Sequence, residues 1–233
     1  MKKIFITATG TGIGKTFISA GIAGICLEMG LKTAYMKPVR TGAEADDDPA
    51  FMRLLLPSLY KLPPALECPY SFPLAASPHL SAKLSHSEIL PSRIISSVRE
   101  IEKINGLDLL LIEGAGGVYV PLNADYTILN LIKELNVPAL IVGLPGLGAI
   151  NHTMLTVSAL INYEIPIAGI IFNQLSSEAS IIENDNIETI ERLSSLSALS
   201  AVRTIKISGG VPLLKDIMSL FDADKIGQMI RDL

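Results

Sequence analysis

One segment constrains the fold more than any other: residues 3–17, with the sequence KIFITATGTGIGKTF. Residues 3–7 are mostly apolar and predict a short buried strand, residues 8–12 are small and predict a tight turn, and a helix is expected to begin near Gly14. Small residues allow backbone N–H groups to close around an anion, and a helix N-terminus attracts negative charge. The segment is therefore typical of a loop that binds the phosphates of a nucleotide.

Gly14, Lys15 and Thr16 supply the chemistry of this loop. Gly14 has no side chain to block a phosphate, Lys15 can reach the terminal phosphates, and Thr16 offers a hydroxyl to Mg²⁺. The usual pattern has a glycine where this chain has Thr9, and a loop longer by one residue would have it at Ala8. If position 8 required a positive φ, alanine would cost about 1 kcal/mol there. The alternative interpretation is a glycine-rich turn that only connects strand and helix.

Composition excludes several classes of protein. The chain has 233 residues, of which 49% are hydrophobic and 18% charged, and this suits one sizeable α/β domain over residues 1–233. A formal net charge of −4 argues against a nucleic-acid surface or a polybasic membrane anchor. Two cysteines give no disulfide framework, and the most apolar stretch, residues 137–150, is broken by prolines and glycines. We therefore expect a soluble, cytoplasmic protein.

Strand-like and helical segments alternate along the chain, which predicts a mostly parallel β-sheet with helices on both faces. The predicted strands are residues 3–7, 33–36, 107–112, 139–143, 168–172 and 202–207. The predicted helices are residues 17–29, 51–56, 86–104, 128–135 and 181–193, with further helices from about 151 and from 212. Residues 57–81 are proline-rich and predict an irregular excursion. Parallel sheets bind ligands beyond the carboxyl ends of their strands, so Lys15, Thr16, Lys37, Glu113 and Asn173 are expected to converge on one crevice.

Oxygen ligands for a nucleotide-bound Mg²⁺ can be sought among the residues near these strand ends. Mg²⁺ prefers a hydroxyl and one or two carboxylates. Thr16 supplies the hydroxyl, and Glu113 is the best carboxylate because it follows a buried strand and precedes a glycine run; an ordinary loop acid is the alternative. Among residues 46–48, three aspartates in a row, Asp48 is preferred because it is closest to a helical segment. Such acidic runs are otherwise usually solvated surface.

Lys37 is a second lysine expected beside Lys15. A cation there suits the negative charge that develops during phosphoryl transfer, although a lysine at a strand end can also simply lie at the surface. Thr41, Gly42 and residues 114–117 are predicted turn residues whose backbone could hydrogen-bond an oxyanion. The three histidines have no metal-ligand spacing and form no recognisable triad.

Several motifs in the same order give the chain a resemblance to the dethiobiotin synthetases, the ATP-dependent carboxylases of biotin synthesis. They are TGIGKT at 11–16, KPVRTG at 37–42, PYSF at 69–72 with SPH at 77–79, EGAGG at 113–117, PGLGAINHT at 145–153, and Asn173. Two residues differ from the family pattern. Ala8 stands where the family usually has glycine, and Gly10 stands where it often has a polar or acidic residue.

The resemblance implies a P-loop NTPase-like fold with ATP and Mg²⁺ as cofactors. The residues implied to hold the ATP phosphates are Thr11, Gly12, Ile13, Gly14, Lys15 and Thr16. Those implied to hold Mg²⁺ are Thr16, Asp48 and Glu113. Asn173 would bind the adenine, with help from the backbone near Pro212 and Leu213.

The resemblance also implies the reaction and the partners, which are small molecules and a second copy of the chain. One amine of 7,8-diaminononanoate takes up CO₂ as a carbamate, the carbamate oxygen attacks the γ-phosphate, and the second amine closes the ring and expels phosphate. Lys15 and Lys37 would stabilise charge, and Thr41, Gly116 and Gly117 would contact the substrate. In a homodimer, the helix start around Gly148, Ile150 and Asn151 would hold the substrate carboxylate in the partner subunit's site.

Two alternatives to this interpretation share the fold class. A cobyrinic-acid-synthase-like ligase domain, or a nucleotide-binding domain attached to an acetyltransferase, would normally come with a further catalytic domain, and no segment after Asn173 suits one. A partition-type switch ATPase carries a signature lysine near the start of the loop, where this chain has Gly10. Residues 178–200 match no motif.

Overall fold

Strands and helices alternate along the described residues, which are 1–42, 47–176, 180–204 and 213–233 of a computed structural model. The strands are β1 (Lys2–Ala8), β2 (Thr33–Met36), β3 (Val39–Thr41), β4 (Tyr70–Phe72), β5 (Leu109–Gly117), β6 (Ala139–Gly143), β7 (Ile167–Leu175) and β8 (Ala198–Arg203). The helices are α1 (Lys15–Glu28), α2 (Asp48–Leu55), α3 (Pro64–Glu67), α4 (Pro78–Leu84), α5 (Pro91–Glu102), α6 (Ile128–Leu135), α7 (Ala149–Asn162), α8 (Ile181–Ser194), α9 (Leu214–Met218) and α10 (Ala223–Asp232).

A six-stranded sheet, in the order β2-β5-β1-β6-β7-β8, forms the centre of the described structure. All neighbouring strands in it pair in parallel, which confirms the predicted fold class. Helices cover both faces, so the central strands are continuous apolar runs rather than alternating ones. The run Leu109–Ile112 in β5, for example, is fully buried.

The two faces of the sheet contribute to two hydrophobic cores. Leu110 and Ile112 pack with apolar residues of α5, α6, α7 and α8 on one face. Leu109 and Leu111 pack with residues of α1, α2, α9 and α10 on the other. This division follows from the two-residue period of a strand, which points successive side chains to opposite faces.

Residues 57–81 are more regular than predicted. They contain α3, β4 and the start of α4, and β4 pairs in parallel with β3, which was predicted as part of a loop. The pairing brings Arg40 opposite Ser71, and Tyr70 and Phe72 are buried. Strands of three residues are too short to show a periodic pattern, and their pairing depends on a distant segment.

Several predicted boundaries were also wrong. The helix predicted over 86–104 begins at Pro91, since His86 has a φ of 49° and Leu90 is extended. Residues 114–117 continue β5 rather than forming a turn, and Gly117 pairs with Ala8 of β1.

The end of the chain differs from the prediction as well. The closing helix predicted from 212 is two helices, α9 and α10, and the strand predicted over 202–207 is β8. Pro212 and residues 205–207 lie outside the described residues. No helix in the described ranges is both long enough and apolar enough to cross a membrane.

The packing of α1 on the C-terminal helices depends on two glycines and gives a stability prediction. A Cβ at Gly21 would lie 2.2 Å from Cε2 of Phe221, whereas a Cβ at Gly24 would lie 2.7 Å from Sδ of Met218. A phenyl ring cannot bend away and a thioether can, so Gly21→Ala should lower the free energy of unfolding by about 2 kcal/mol. Both variants gain about 1 kcal/mol of helix propensity, and Gly24→Ala should cost less because the flexible Met218 side chain can change rotamer to make room for the methyl group. Urea denaturation of both variants measures the difference, and equal losses would contradict this packing.

Candidate active site

A cleft of about 310 Å³ opens at the carboxyl ends of the central strands. Its lining residues are Thr11, Gly12, Gly14, Lys15, Thr16, Lys37, Val39, Thr41, Asp48, Glu113, Ala115 and Gly116. They come from the loop after β1, the residues after β2, the start of α2 and the end of β5. Lys15, Thr16, Lys37 and Glu113 therefore meet in one cleft as predicted, whereas Asn173, which was predicted to join them, is not among the residues that line it.

The loop between β1 and α1 has the backbone of an anion cradle. Gly12 and Gly14 have φ values of 74° and 89°, a region that glycine tolerates without cost. Ala8 is fully buried within β1 and is not among the residues with positive φ. The strain considered for alanine at position 8 is therefore absent, because the turn begins after this residue.

Asn173 contacts the backbone of this loop from the end of β7. Its side-chain amide donates a hydrogen bond to the carbonyl of Ile13 at 2.7 Å, so it supports the loop rather than lining the cleft. The other residues predicted near the base lie at the end of the chain. Leu213 is exposed and immediately precedes α9, and Pro212 falls outside the described residues.

Four polar side chains form a closed ring of contacts in the cleft. The Thr16 hydroxyl oxygen lies 2.7 Å from Oδ1 of Asp48 and 2.9 Å from Oε1 of Glu113. The Lys37 ammonium lies 2.6 Å from Oε1 of Glu113 and 2.7 Å from Oδ2 of Asp48. The ring joins residues that the sequence separates by up to 97 positions.

The chemistry of this ring suits a divalent cation. The Thr16 hydroxyl has one hydrogen but faces two carboxylate oxygens, so one of these oxygens lacks a hydrogen from it. Hydroxyl and carboxylate oxygens are hard ligands of the kind that Mg²⁺ takes together with substrate phosphates. Within the described ranges, no group of three or more His, Cys, Asp or Glu residues could hold a metal. A cation in this cleft would therefore need Thr16 and the ligand's own oxygens.

The pKa values of the two lysines of the cleft are shifted in opposite directions. Burial lowers the pKa of Lys15 to about 8, and the positive charge of Lys37 adds to this effect. Burial alone would also lower the pKa of Lys37, but the carboxylates of Glu113 and Asp48 outweigh it and raise that pKa above its ordinary value. Lys37 is therefore a permanent cation near neutral pH, whereas Lys15 becomes a better cation when phosphate oxygens approach it.

Two of the three adjacent aspartates, Asp47 and Asp48, have different contacts at the start of α2. Asp47 caps this helix by accepting from the backbone N–H of Ala50 at 2.9 Å, and it pairs with Arg40. Asp48 faces Thr16 and Lys37 instead, as the sequence interpretation preferred. Asp46 lies outside the described residues.

Two residues that sequence reasoning missed contact the other oxygen of Glu113. The hydroxyls of Ser19 and Tyr35 lie 2.8 Å and 3.0 Å from its Oε2. Their positions in the sequence relative to Lys15 and Lys37 gave a weak indication of both contacts. Ser19 is one helical turn after Lys15, and Tyr35 is two residues before Lys37, the period that places strand side chains on one face.

A second groove lies beside the cleft, and one of the predicted substrate residues, Gly117, lines it. The groove has a volume of about 650 Å³ and is lined by Gly117 of β5 and by His152 and other residues of α7. Thr11 lines both the groove and the cleft. Thr41 and Gly116 line the cleft itself. Gly148 caps α7 with a φ of 87°. Gly148, Ile150 and Asn151 are not among the residues that line their own chain's cleft.

Comparisons with known proteins identify relatives over most of the chain. A family model described as an AAA domain matches residues 2–219. The chain is 41% identical to an ATP-dependent dethiobiotin synthetase BioD of Geobacillus sp. (strain WCH70), over 82% of this chain and 80% of that protein. It is 35% identical to the protein of the same name from Halalkalibacterium halodurans, over 97% of this chain and 90% of that protein.

Solved structures share the fold at low identity. The MinC:MinD cell division protein complex of Aquifex aeolicus matches with a TM-score of 0.61 and 15% identity, over 100% of this chain and 95% of the matched chain. The MinD cell division protein of the same organism matches with a TM-score of 0.57 and 16% identity. Identities this low support the common fold and nothing about function.

Proposed function

The chain belongs to the family of ATP-dependent dethiobiotin synthetases, which are ligases that form carbon–nitrogen bonds, and we propose how its cleft performs this reaction on 7,8-diaminononanoate and CO₂. The observation that carries the proposal is the meeting of Lys15, Lys37, Asp48 and Glu113 beside the phosphate loop. Two cations and two acids around one anion site suit phosphoryl transfer, which depends on positioning and electrostatics more than on covalent catalysis.

The loop before α1 is proposed to bind the triphosphate of ATP. Thr11, Gly12, Ile13 and Gly14 would direct backbone N–H groups at the phosphates, and the positive end of α1 would add to the field. Lys15 would pair with the terminal phosphates. For the adenine we propose Asn173, with backbone near Pro212 and Leu213, as the family resemblance implies.

A divalent cation, proposed to be Mg²⁺, would be held by Thr16, Asp48 and Glu113. Their oxygens converge in the cleft, and their number and hardness suit an ion that takes its remaining ligands from phosphates and water. When bound, the ion neutralises charge on the phosphates.

Lys37 and Lys15 are proposed as the catalytic residues. The carbamate oxygen attacks the γ-phosphate, and negative charge spreads over the phosphoryl oxygens as the bond to ADP breaks. Lys37 is buried beside the acids and stays protonated, so it can stabilise that charge without rearrangement. Thr41, Gly116 and Gly117, at the rim of the cleft and of the adjoining groove, would orient the diamine and its carbamate.

We further propose that the protein acts as a homodimer. Large apolar side chains are exposed around the groove beside the cleft, among them Tyr119 and Leu155, at 64% and 60%, and Leu147 is exposed before α7. Covering them with a second copy would bury apolar surface, and the helix start at Gly148, Ile150 and Asn151 would then approach the partner subunit's cleft. A monomeric mass by light scattering at micromolar concentration would contradict this arrangement.

Residues 1–233 are proposed to act as one ligase domain, since both cores lie on faces of the same sheet. We also propose a cytoplasmic location, as expected for an enzyme that consumes ATP.

Phosphate release in the presence of each substrate tests this function. With ATP and Mg²⁺ present, release should require both the diamine and bicarbonate, because the carbamate is the nucleophile. Omission of either one should return the rate to background. Phosphate release that is unaffected by the diamine would instead favour a switch ATPase.

A further inference from the structure

The two carboxylate oxygens of Glu113 are used differently. Oε1 faces the cleft, where it contacts Thr16 and Lys37. Oε2 faces the interior, where it contacts Ser19 and Tyr35. Glu113 is fully buried, so a rotation of the carboxylate would take Oε2 away from both interior hydroxyls and leave them without this acceptor.

Of the two interior donors, Tyr35 depends more on Oε2 of Glu113 as its hydrogen-bond acceptor. The Ser19 hydroxyl has one hydrogen and two acceptors within reach, Oε2 of Glu113 at 2.8 Å and the carbonyl of Lys15 at 2.9 Å. The Tyr35 hydroxyl, on a side chain only 2% exposed, points to Oε2 at 3.0 Å. The hydroxyl hydrogen of Tyr35 therefore holds the Glu113 carboxylate in this orientation even when the Ser19 hydroxyl donates its hydrogen to the carbonyl of Lys15.

A carboxylate held in this way can offer only one oxygen to an ion in the cleft. Mg²⁺ requires a small octahedral shell at about 2.0–2.1 Å and accepts single carboxylate oxygens. Ca²⁺ takes six to eight oxygens and often uses both oxygens of one carboxylate. On the basis of the proposed function, we propose that Tyr35, assisted by Ser19, positions Glu113 as a one-oxygen ligand and thereby makes the site select Mg²⁺ over Ca²⁺.

Metal titrations of nucleotide binding test this role without any turnover. Binding of a non-hydrolysable ATP analogue is measured by calorimetry while Mg²⁺ or Ca²⁺ is varied, in the wild type and in Tyr35→Phe. Loss of a group that orients a metal ligand typically costs 10- to 100-fold in metal affinity. We expect the half-saturating Mg²⁺ concentration to rise about tenfold, while that of Ca²⁺ stays unchanged or falls because Glu113 can now turn both oxygens to the ion. Adding Ser19→Ala should widen the change.

Tyr126→Phe is the matched control, since the Tyr126 hydroxyl donates to a carboxylate oxygen of Glu134 at 2.6 Å, outside the cleft lining. It should leave both titrations unchanged. An unchanged ratio of half-saturating Ca²⁺ to Mg²⁺ in Tyr35→Phe, or an equal shift for both ions, would overturn the role of Tyr35.

The metal site and the reaction are tested separately. If Glu113→Gln gave the same metal titration curves as the wild type, that result would contradict the proposed metal site and, with it, the role of Tyr35. Diamine-independent phosphate release by the wild type would instead count against the proposed reaction, and would leave the selectivity result standing.

Discussion

Replacement of Lys37 by methionine is expected to lower turnover by about a hundred- to a thousandfold, the usual effect of removing one group that stabilises transition-state charge. Nucleotide affinity should change much less, because Lys37 contacts Glu113 and Asp48, whereas Lys15 and the loop backbone are the groups proposed to bind the phosphates. Methionine is unbranched and only one heavy atom shorter than lysine, so it keeps most of the packing while removing the ammonium group with its charge and hydrogen-bond donors. Steady-state kinetics and equilibrium binding of a fluorescent nucleotide measure the two effects.

The same variant should also be less stable without ligands. Removing Lys37 leaves the buried Glu113 and the partly buried Asp48 facing each other without their cation, which typically costs about 3 kcal/mol or more. Mg²⁺ and nucleotide should restore part of this loss. Lys133→Met is the control, because Lys133 pairs with Glu164 at 3.0 Å on an exposed surface, where such pairs contribute little. Equal losses of turnover and nucleotide affinity in Lys37→Met would contradict a catalytic role.

Replacement of Gly14 by alanine should weaken nucleotide binding about a hundredfold, a loss of roughly 2.7 kcal/mol. A Cβ at this position would lie 2.3 Å from Nδ2 of Asn173, and the φ of 89° is unfavourable for alanine. The Asn173 amide would have to move away from the carbonyl of Ile13, which it now contacts at 2.7 Å. The loop would lose its support at the residues that are proposed to surround the phosphates.

Gly30→Ala is the control that separates the cost of placing alanine at a positive φ from the cost of the clash with Asn173. Gly30 has a similar φ of 78°, but a Cβ there would meet nothing within 4 Å. This control should cost about 1 kcal/mol of stability and should leave nucleotide binding unchanged. Urea denaturation and nucleotide titration of both variants provide the comparison. If Gly14→Ala bound nucleotide as tightly as the wild type, that result would contradict a role for the contact between Asn173 and the loop in nucleotide binding.

The features that could be predicted from the sequence are those encoded by neighbouring residues. The strand, turn and helix start of the phosphate loop lie within residues 3–17, where apolar residues, glycines and Lys15 follow one another directly. Uninterrupted apolar runs such as Leu109–Ile112 indicated strands buried on both faces. Because parallel strands share one carboxyl edge, the meeting of Lys37 and Glu113 with Lys15 followed from their places in the chain.

The features that could not be predicted depend on contacts between distant segments. The pairing of β3 with β4 has no local pattern, because each strand is only three residues long. Tyr35 and Glu113 are 78 residues apart, and Asn173 and Ile13 are 160 apart. Sequence patterns place such residues on a strand or a helix, but the distances between their atoms depend on how those elements pack. The chain order thus accounts for the groups that meet in the cleft, while packing sets the orientation of Glu113 and the support beneath the loop.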